Sequence, residues 1–374
     1  MIISQINLQK HFGGGEVYTG FLCHALDKLG VTTKLLIHPR AQFWTQLGLP
    51  DSTILIETPN FTHAETALSK DIRWAIGHGP LPPQLISRIH NLGGLVAAIA
   101  HMPVQGRNPA AFAGHDLVFA VSGWVLTGLR EAGLPAWPEP LYGVADLSRS
   151  SKNGAIHRTS RYDWDRRKFR DRLFSWVEPA VEPLLPHPRY EKRAGLTLGI
   201  VSRLTPIKQF PRMFEALAPI LARTPGVNLE IFGSGGYASV RDLTHALAPV
   251  TDRVRFWGHQ TDVVSVYRGI DYLLTGLPEK EALGLNVIEA QACGTPILAP
   301  CAAPFIETVA DGVTGFLYRD PREDGGEDFG RLLMRLINLP QPPDPRLATE
   351  HLAKFSFDAF VDRLRPVVDL FATR

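Results

Sequence analysis

One rhythm constrains this chain more than any other feature: short apolar runs alternate with helix-length amphipathic segments, twice over. Apolar runs bounded by turn residues read as buried strands, and the amphipathic segments between them as crossover helices. In the first half, strands are expected at Ile2–Ile6, Thr33–Ile37, Thr53–Glu57, Ile72–Ile76, Leu95–His101 and Leu117–Val121. Helices are expected over Glu16–Leu29, Pro83–Asn91 and Trp124–Ala132. From about Asp146 to Arg193 the texture changes to an Arg-, Pro- and Trp-rich stretch with no strand alternation. The rhythm resumes with strands expected at Thr197–Ser202, Asn228–Phe232, Val254–Trp257, Tyr272–Thr275, Pro296–Ala299 and Thr314–Leu317. Phe360, Val361, Leu364, Val367, Val368 and Leu370 then fall at helical spacing and predict a C-terminal helix over Asp358–Phe371.

Repeated strand–helix units build parallel sheets covered by helices on both faces. A chain of 374 residues is too long for one ordinary core. The expected class is therefore α/β, with two Rossmann-like, doubly wound parallel-sheet domains facing across an interdomain cleft. We place them at residues 1–193 and 194–354, with a helix over 355–374 returning to the first domain. Two such sheets put a ligand at the carboxyl ends of their strands, so informative residues should lie just after strands.

Bulk properties exclude several classes. With 45% apolar and 20% charged residues, the composition is that of a globular protein rather than a disordered or fibrous one. A net charge of +2 does not point to nucleic acid. Cys23, Cys293 and Cys301 form no Cys-x-x-Cys pair, which argues against a disulfide framework or a cysteine-rich zinc site and fits a reducing compartment. The N-terminus has no basic stretch followed by a long apolar run, and no run approaches the roughly 20 residues of a spanning helix. A cytoplasmic location is expected.

Three clusters follow strands. The first is Glu281-Ala-Leu-Gly-Leu-Asn-Val-Ile-Glu289, trailed by Ala290-Gln291-Ala292-Cys293-Gly294-Thr295-Pro296. One carboxylate in a loop and one in the first turns of a helix can each grip a polyhydroxylated group. Gly284 permits close backbone approach, and the helix start offers N–H groups to an anion. The same residues also serve as a solvated Glu and a helix-favoured Glu. The second cluster is Ser202-Arg203-Leu204-Thr205-Pro206-Ile207-Lys208, where two cations at a strand-to-helix junction suit a diphosphate and its departure. The third is Phe232-Gly233-Ser234-Gly235-Gly236, which alone fits a tight turn.

In this order the clusters resemble the second domain of the retaining GT-B glycosyltransferases, the large Glu-x7-Glu group of bacterial glycan and lipopolysaccharide enzymes. The resemblance implies that Arg203 and Lys208 bind the donor diphosphate, that Glu281 holds donor-sugar hydroxyls and that Glu289 binds the ribose. It implies backbone contacts from Leu283, Gly284, Leu285 and Asn286, and donor contacts from Gly233 and Gly235. It places Phe256-Trp257-Gly258-His259 near the base, so Trp257 and Gly258 count as donor-binding. In the first half, Gly13-Gly14-Gly15-Glu16 matches the family's Gly-rich loop near the phosphates, with Gly14 and Gly15 as donor ligands. His101 matches the histidine beside the transferred sugar. Val121-Ser122 and Gly143–Asp146 are further matches. Two positions depart from the pattern: Thr275-Gly276 replaces Pro-Ser, and Leu283 replaces Phe.

The implied activity is retaining transfer of a sugar from a UDP- or GDP-linked donor to a glycan or lipid-linked acceptor, in cell-surface polysaccharide or lipopolysaccharide synthesis. The nucleotide sugar is a substrate, and neither cofactor nor metal is expected. Asp163-Trp164-Asp165 has the Asp-x-Asp spacing of metal-dependent glycosyltransferases, but it lies in a basic segment away from any expected strand end. That segment, residues 158–176, interleaves Arg158, Arg161, Arg166, Arg167, Lys168, Arg170 and Arg172 with Tyr162, Trp164, Phe169, Phe174 and Trp176. Its plain reading is an interdomain helix whose Arg side chains are solvated or paired; the alternative is a peripheral contact with an anionic membrane. A non-catalytic GT-B scaffold is the alternative class, although both phosphate cations and both carboxylates are retained. A glycogen-type phosphorylase needs a longer chain with a pyridoxal lysine. A dehydrogenase needs Gly-x-Gly-x-x-Gly, a spacing that Gly13–Gly15 lacks.

Overall fold

The structure is a computed structural model that describes residues 1–68, 72–145, 154–163 and 188–373. It divides into two units, Met1–Ala145 with Ala353–Arg374, and Asp146–Leu352.

The first unit runs β1 (Ile2–Asn7), α1 (Gly14–Lys28), β2 (Thr32–Ile37), β3 (Thr53–Glu57), α2 (Phe61–Ala67), β4 (Trp74–Gly77), α3 (Pro83–Asn91), β5 (Leu95–Ala100), β6 (Leu117–Ala120) and α4 (Gly123–Glu131). Its strands are all parallel, in the order β3-β2-β1-β4-β5-β6. The central strand β1 is buried on both faces from Ile3 onward, yet it carries Ser4, Gln5 and Asn7. Polar side chains in such a position cost stability unless they are hydrogen-bonded, and Gln5 and Asn7 are bonded.

The second unit runs β7 (Leu196–Val201), α5 (Phe210–Arg223), β8 (Val227–Phe232), α6 (Tyr237–Ala246), β9 (Val254–Gly258), α7 (Val263–Arg268), β10 (Tyr272–Leu274), α8 (Leu285–Ala292), β11 (Ile297–Pro300), α9 (Phe305–Thr308), β12 (Gly315–Tyr318), α10 (Pro321–Asp324), α11 (Glu327–Ile337) and α12 (Thr349–Ala353). These strands are also parallel, ordered β12-β11-β10-β7-β8-β9. One core layer joins Ile200, Phe214, Leu217, Ile231, Leu274, Phe329 and Leu333; the other joins Trp257, Tyr267, Val287, Ile297 and Phe305 on the opposite face. Strand ends differ from the sequence expectation by one or two residues, as where Ile72–Ile76 becomes Trp74–Gly77.

The terminal helix α13 (Phe357–Thr373) belongs to the first unit. Phe360 meets Tyr18 and Phe21 of α1 edge-on, and Phe371 stacks on Trp74 with centroids 3.8 Å apart. Phe371, rather than Leu370, completes the buried stripe. Tyr142 and Phe355 brace the helix entry.

Division between the units falls at Ala145/Asp146, not at 193/194. The physical reason is backbone pairing. Residues 154–163 bond the second unit through Thr159 N–H to the Trp257 carbonyl at 2.9 Å and Asp163 N–H to the Gly235 carbonyl at 2.8 Å. Among the described residues, no helix is long and apolar enough to cross a membrane. Cys23 and Cys293 are buried, Cys301 is exposed, and all three are free.

Candidate functional site

In each sheet the strand order reverses once, between β1 and β4 in the first unit and between β7 and β10 in the second. Open α/β sheets bind ligands outside the carboxyl ends of the strands at such a reversal, where the two flanking crossovers leave in opposite directions.

In the second unit this point joins the two strongest sequence clusters. After β7 the chain makes a short turn over Pro206–Lys208, and Gln209 takes a left-handed φ of 53° before α5 begins. Lys208 Nζ pairs with Glu281 Oε2 from the loop after β10, and both side chains are about three-quarters or more buried. Gln209 Nε2 bonds Glu279 Oε2 at 2.6 Å. Arg322 also pairs with Glu279 and with Asp320, and these contacts hold both carboxyls below their ordinary range. A side chain on Gly276 would lie 2.5 Å from the Lys208 carbonyl, so the Thr-Gly departure from the family pattern has a local cause. Arg203 is exposed on the same turn.

Helix α8 starts at Leu285 behind Gly284, whose φ of 82° suits only glycine without strain. Its opening N–H groups, at Leu285 and Asn286, have no acceptors within the helix. Asn286 Nδ2 bonds the Val201 carbonyl at 3.1 Å, tying the helix start to the end of β7. The Leu283 side chain is buried, leaving only its backbone for a ligand. Glu289, one turn further, accepts a 2.9 Å bond from Tyr267 OH. Burial, with Glu289 adding, pushes the Tyr267 phenol well above its ordinary range, so it stays a donor.

Gly233, Gly235, Trp257 and Gly258 form a different cluster, held by partners within the second unit. The Gly233 N–H is given to the Gly258 carbonyl at 2.7 Å and that of Gly235 to the Arg161 carbonyl at 3.1 Å. A Cβ on Gly233 would stand 1.9 Å from the Ser202 carbonyl oxygen, and one on Gly235 2.1 Å from that of Leu204. These glycines are therefore required by the approach of two backbones. Gly258, at φ +70°, lies equally close to Thr159 and Ser160. Trp257 is 1% exposed, and its indole N–H bonds Glu230 at 2.7 Å. Glu230 is itself fully buried and gripped by Arg255 and Arg193. Trp257 thus belongs to the core.

In the first unit the Gly-rich loop and His101 prove to be connected. Gly14 and Gly15 open α1 after β1, and His101 directly follows β5. Asn7 Nδ2 bonds Thr19 Oγ1 at 2.9 Å, and that hydroxyl is 2.8 Å from the Gly15 carbonyl and 3.0 Å from His78 Nδ1. His78 Nδ1 lies 3.1 Å from His101 Nε2. Tyr18 closes edge-on against His101, centroids 5.0 Å apart. Burial pushes His101 down to about 4. Sequence reasoning missed Gln5, Asn7, Thr19 and His78. Polar residues inside the buried run of β1, and a histidine directly after β4, were the available signs.

Asp163 of the Asp-x-Asp triplet is exposed and bonded through its backbone to Gly235, whereas Trp164 and Asp165 lie outside the described residues. So does 164–176 of the basic segment. No group of three metal-ligating side chains occurs among the described residues.

Residues 195–338, which span this switch point, match the family model described as glycosyl transferases group 1. Over these residues the second unit is similar to a group 1 glycosyl transferase domain. The chain is 34% identical over 175 residues to the D-inositol 3-phosphate glycosyltransferase of Mycolicibacterium smegmatis, covering 45% of this chain and 38% of that protein. With the enzyme of that name from Segniliparus rotundus it shares 29% over 264 residues, 63% of this chain and 56% of the other. The chain thus spans only about two fifths to a little over half of these curated relatives. Among solved structures, HepE of Anabaena with UDP and glucose gives a TM-score of 0.69 at 16% identity over 99% of both chains. Sucrose-phosphate synthase of Thermosynechococcus elongatus gives 0.70 at 16% over the whole of both. These likenesses show the fold: the chain has the GT-B architecture, built from two Rossmann-like units.

Proposed function

We propose that the chain is a retaining glycosyltransferase that takes a sugar from a nucleoside diphosphate donor and needs no metal ion. The observation that carries this is the meeting of Lys208, Glu281 and the start of α8 at the β7/β10 switch point, inside the stretch similar to glycosyl transferases group 1. Lys208 and Arg203 are assigned to the diphosphate, where cations stabilise the departing phosphate in place of a divalent ion. Glu281 is assigned to the sugar hydroxyls and Glu289 to the ribose. From the first unit, His101 is assigned to the transferred sugar and Gly14–Gly15 to the donor phosphates. Retention follows if the acceptor enters on the face the diphosphate leaves, with the leaving phosphate taking the acceptor proton. The protein then supplies position and charge rather than a nucleophile.

A UDP donor is favoured first, because the structural neighbour HepE is described with UDP and with UDP-glucose. The acceptor class we favour is a glycan or lipid-linked glycan made at the cytoplasmic face of a membrane. The names of the curated relatives make an inositol phosphate the second acceptor to test.

A thermal-shift panel of UDP, GDP, ADP and their common sugars, without added metal, tests the donor assignment. A shift of several degrees with one nucleotide, lost in Arg203→Ala and Glu289→Ala, supports it. No shift with any, repeated by calorimetry, refutes it and favours a scaffold without turnover. Product NMR then reads retention from the anomeric configuration.

A further inference from the structure

The first unit contains a relay of three side chains that ends on His101. Gln5, from the middle of β1, presents Oε1 to His78 Nε2 at 2.8 Å. His78 Nδ1 faces His101 Nε2 at 3.1 Å. The two imidazole planes lie within 11° of each other, with centroids 5.3 Å apart. That separation equals the nitrogen–nitrogen distance plus one ring radius at each end. The rings therefore meet edge to edge in nearly one plane, the geometry of an in-plane N–H···N bond, and do not overlap face to face.

Proton positions follow from the chemistry of the ends. An amide oxygen only accepts, so the hydrogen sits on His78 Nε2. A neutral imidazole carries one hydrogen, which leaves His78 Nδ1 as a lone pair. Two lone pairs facing each other at this distance repel, so His101 Nε2 carries a hydrogen. The Thr19 hydroxyl has its own acceptor in the Gly15 carbonyl and does not compel a different arrangement. Burial keeps both rings neutral, and the neighbouring His101 adds to the effect on His78.

We propose that His78 is a positioning residue that locks His101 in the Nε2–H tautomer, so that His101 meets its ligand through Nδ1 as a hydrogen-bond acceptor. A sugar hydroxyl satisfies such a nitrogen, whereas a carboxylate or phosphate oxygen opposes it lone pair to lone pair. The relay thus selects a neutral, hydroxyl-bearing group at this place. This deepens the assignment of His101 to the transferred sugar and rests on it.

Nitrogen-15 NMR of the imidazoles in the ligand-free protein reads the tautomer without any turnover, with the His101 signal identified through His101→Asn. Expected is protonated Nε2 and bare Nδ1 in the wild type. His78→Asn, whose Oδ1 can stand in for Nδ1, should keep this state, and His78→Phe should give a mixture. A wild-type His101 protonated on Nδ1, or a signal unchanged in His78→Phe, overturns the proposal. With the best donor, His78→Phe should lower kcat about tenfold or more, the scale at which supporting partners act. Nucleotide affinity should hold, and His78→Asn should recover most of the rate. Equal rates in the two variants overturn the positioning role. If no nucleotide binds the wild type, the donor assignment fails while the tautomer result still decides the relay.

Discussion

Lys208 and Glu281, 73 residues apart in sequence, form an ion pair at the carboxyl ends of β7 and β10. On the proposed assignment, each charge occupies the other until a ligand offers better partners: a diphosphate for the ammonium, sugar hydroxyls for the carboxylate. Removing the cation removes charge stabilisation, worth on the order of 10²–10³ in rate for one such group. Lys208→Ala is expected to lower kcat for sugar transfer on that scale and to weaken nucleotide binding. Glu281→Gln should keep nucleotide affinity near wild type and lose transfer. Calorimetry beside initial rates separates the two effects; equal loss of nucleotide affinity in both would contradict the division of labour.

Trp257 distinguishes a core role from a ligand role. Its indole N–H satisfies Glu230, which is fully buried, at 2.7 Å. Trp257→Phe takes from Glu230 Oε2 one of its two donors, the other being Arg255 Nε at 2.9 Å, and the lost bond to a charged group should cost about 1–3 kcal/mol. Nucleotide affinity of the folded fraction should not change. Denaturant unfolding with a binding titration checks this, and a large loss of affinity at unchanged stability would favour a donor-binding role instead.

Gly235→Ala should act through the backbone. The new methyl would stand 2.1 Å from the Leu204 carbonyl oxygen, and Leu204 N–H is bonded to the Ser234 carbonyl at 2.8 Å. Overpacking of this kind costs about 1–3 kcal/mol, and the turn carrying Arg203 and Lys208 is what must shift. Lower transfer activity together with a lower Tm is expected. Wild-type values of both would show that the contact yields freely.

Phe371 anchors the terminal helix on Trp74. Phe371→Ala should cost about 3–5 kcal/mol, as for other large aromatic truncations in cores. Proteolysis should then cut first near the start of α13, followed by mass spectrometry of the fragments. Unchanged stability and an uncut helix would show that the stacking contributes little.

Acid should weaken the first unit through its buried histidines. His101 goes from an ordinary 6.5 in the unfolded chain to about 4 when folded. Across that window the unfolded chain binds more protons, so stability falls as pH drops from about 6.5 to about 4 and is kept above it. His78 shifts in the same direction. His101→Asn should flatten the fall of Tm with pH in this range. A slope identical to wild type would mean the loss comes from other buried histidines, such as His78 and His115, which burial shifts in the same direction.

Much of the architecture is legible in the residues themselves. Strand-length apolar runs separated by amphipathic helices allow little besides parallel sheets, because each element must bury its apolar face. The cations after β7 and the carboxylates around α8 stood out because they sit where a loop leaves a strand and a helix begins. The stripe from Phe360 to Val368 announced the C-terminal helix through its period alone. Tertiary structure decided what depends on pairing between distant segments. Whether a Gly-x-Gly turn offers its amides to a ligand depends on which backbone passes beside it, and residues 159–163 take that place. Whether a tryptophan after a strand faces a base or the core depends on a buried glutamate 27 residues away. The Gln5–His78–His101 relay required β1, β4 and β5 to lie side by side, since hydrogen bonds between side chains far apart in sequence leave no periodic trace.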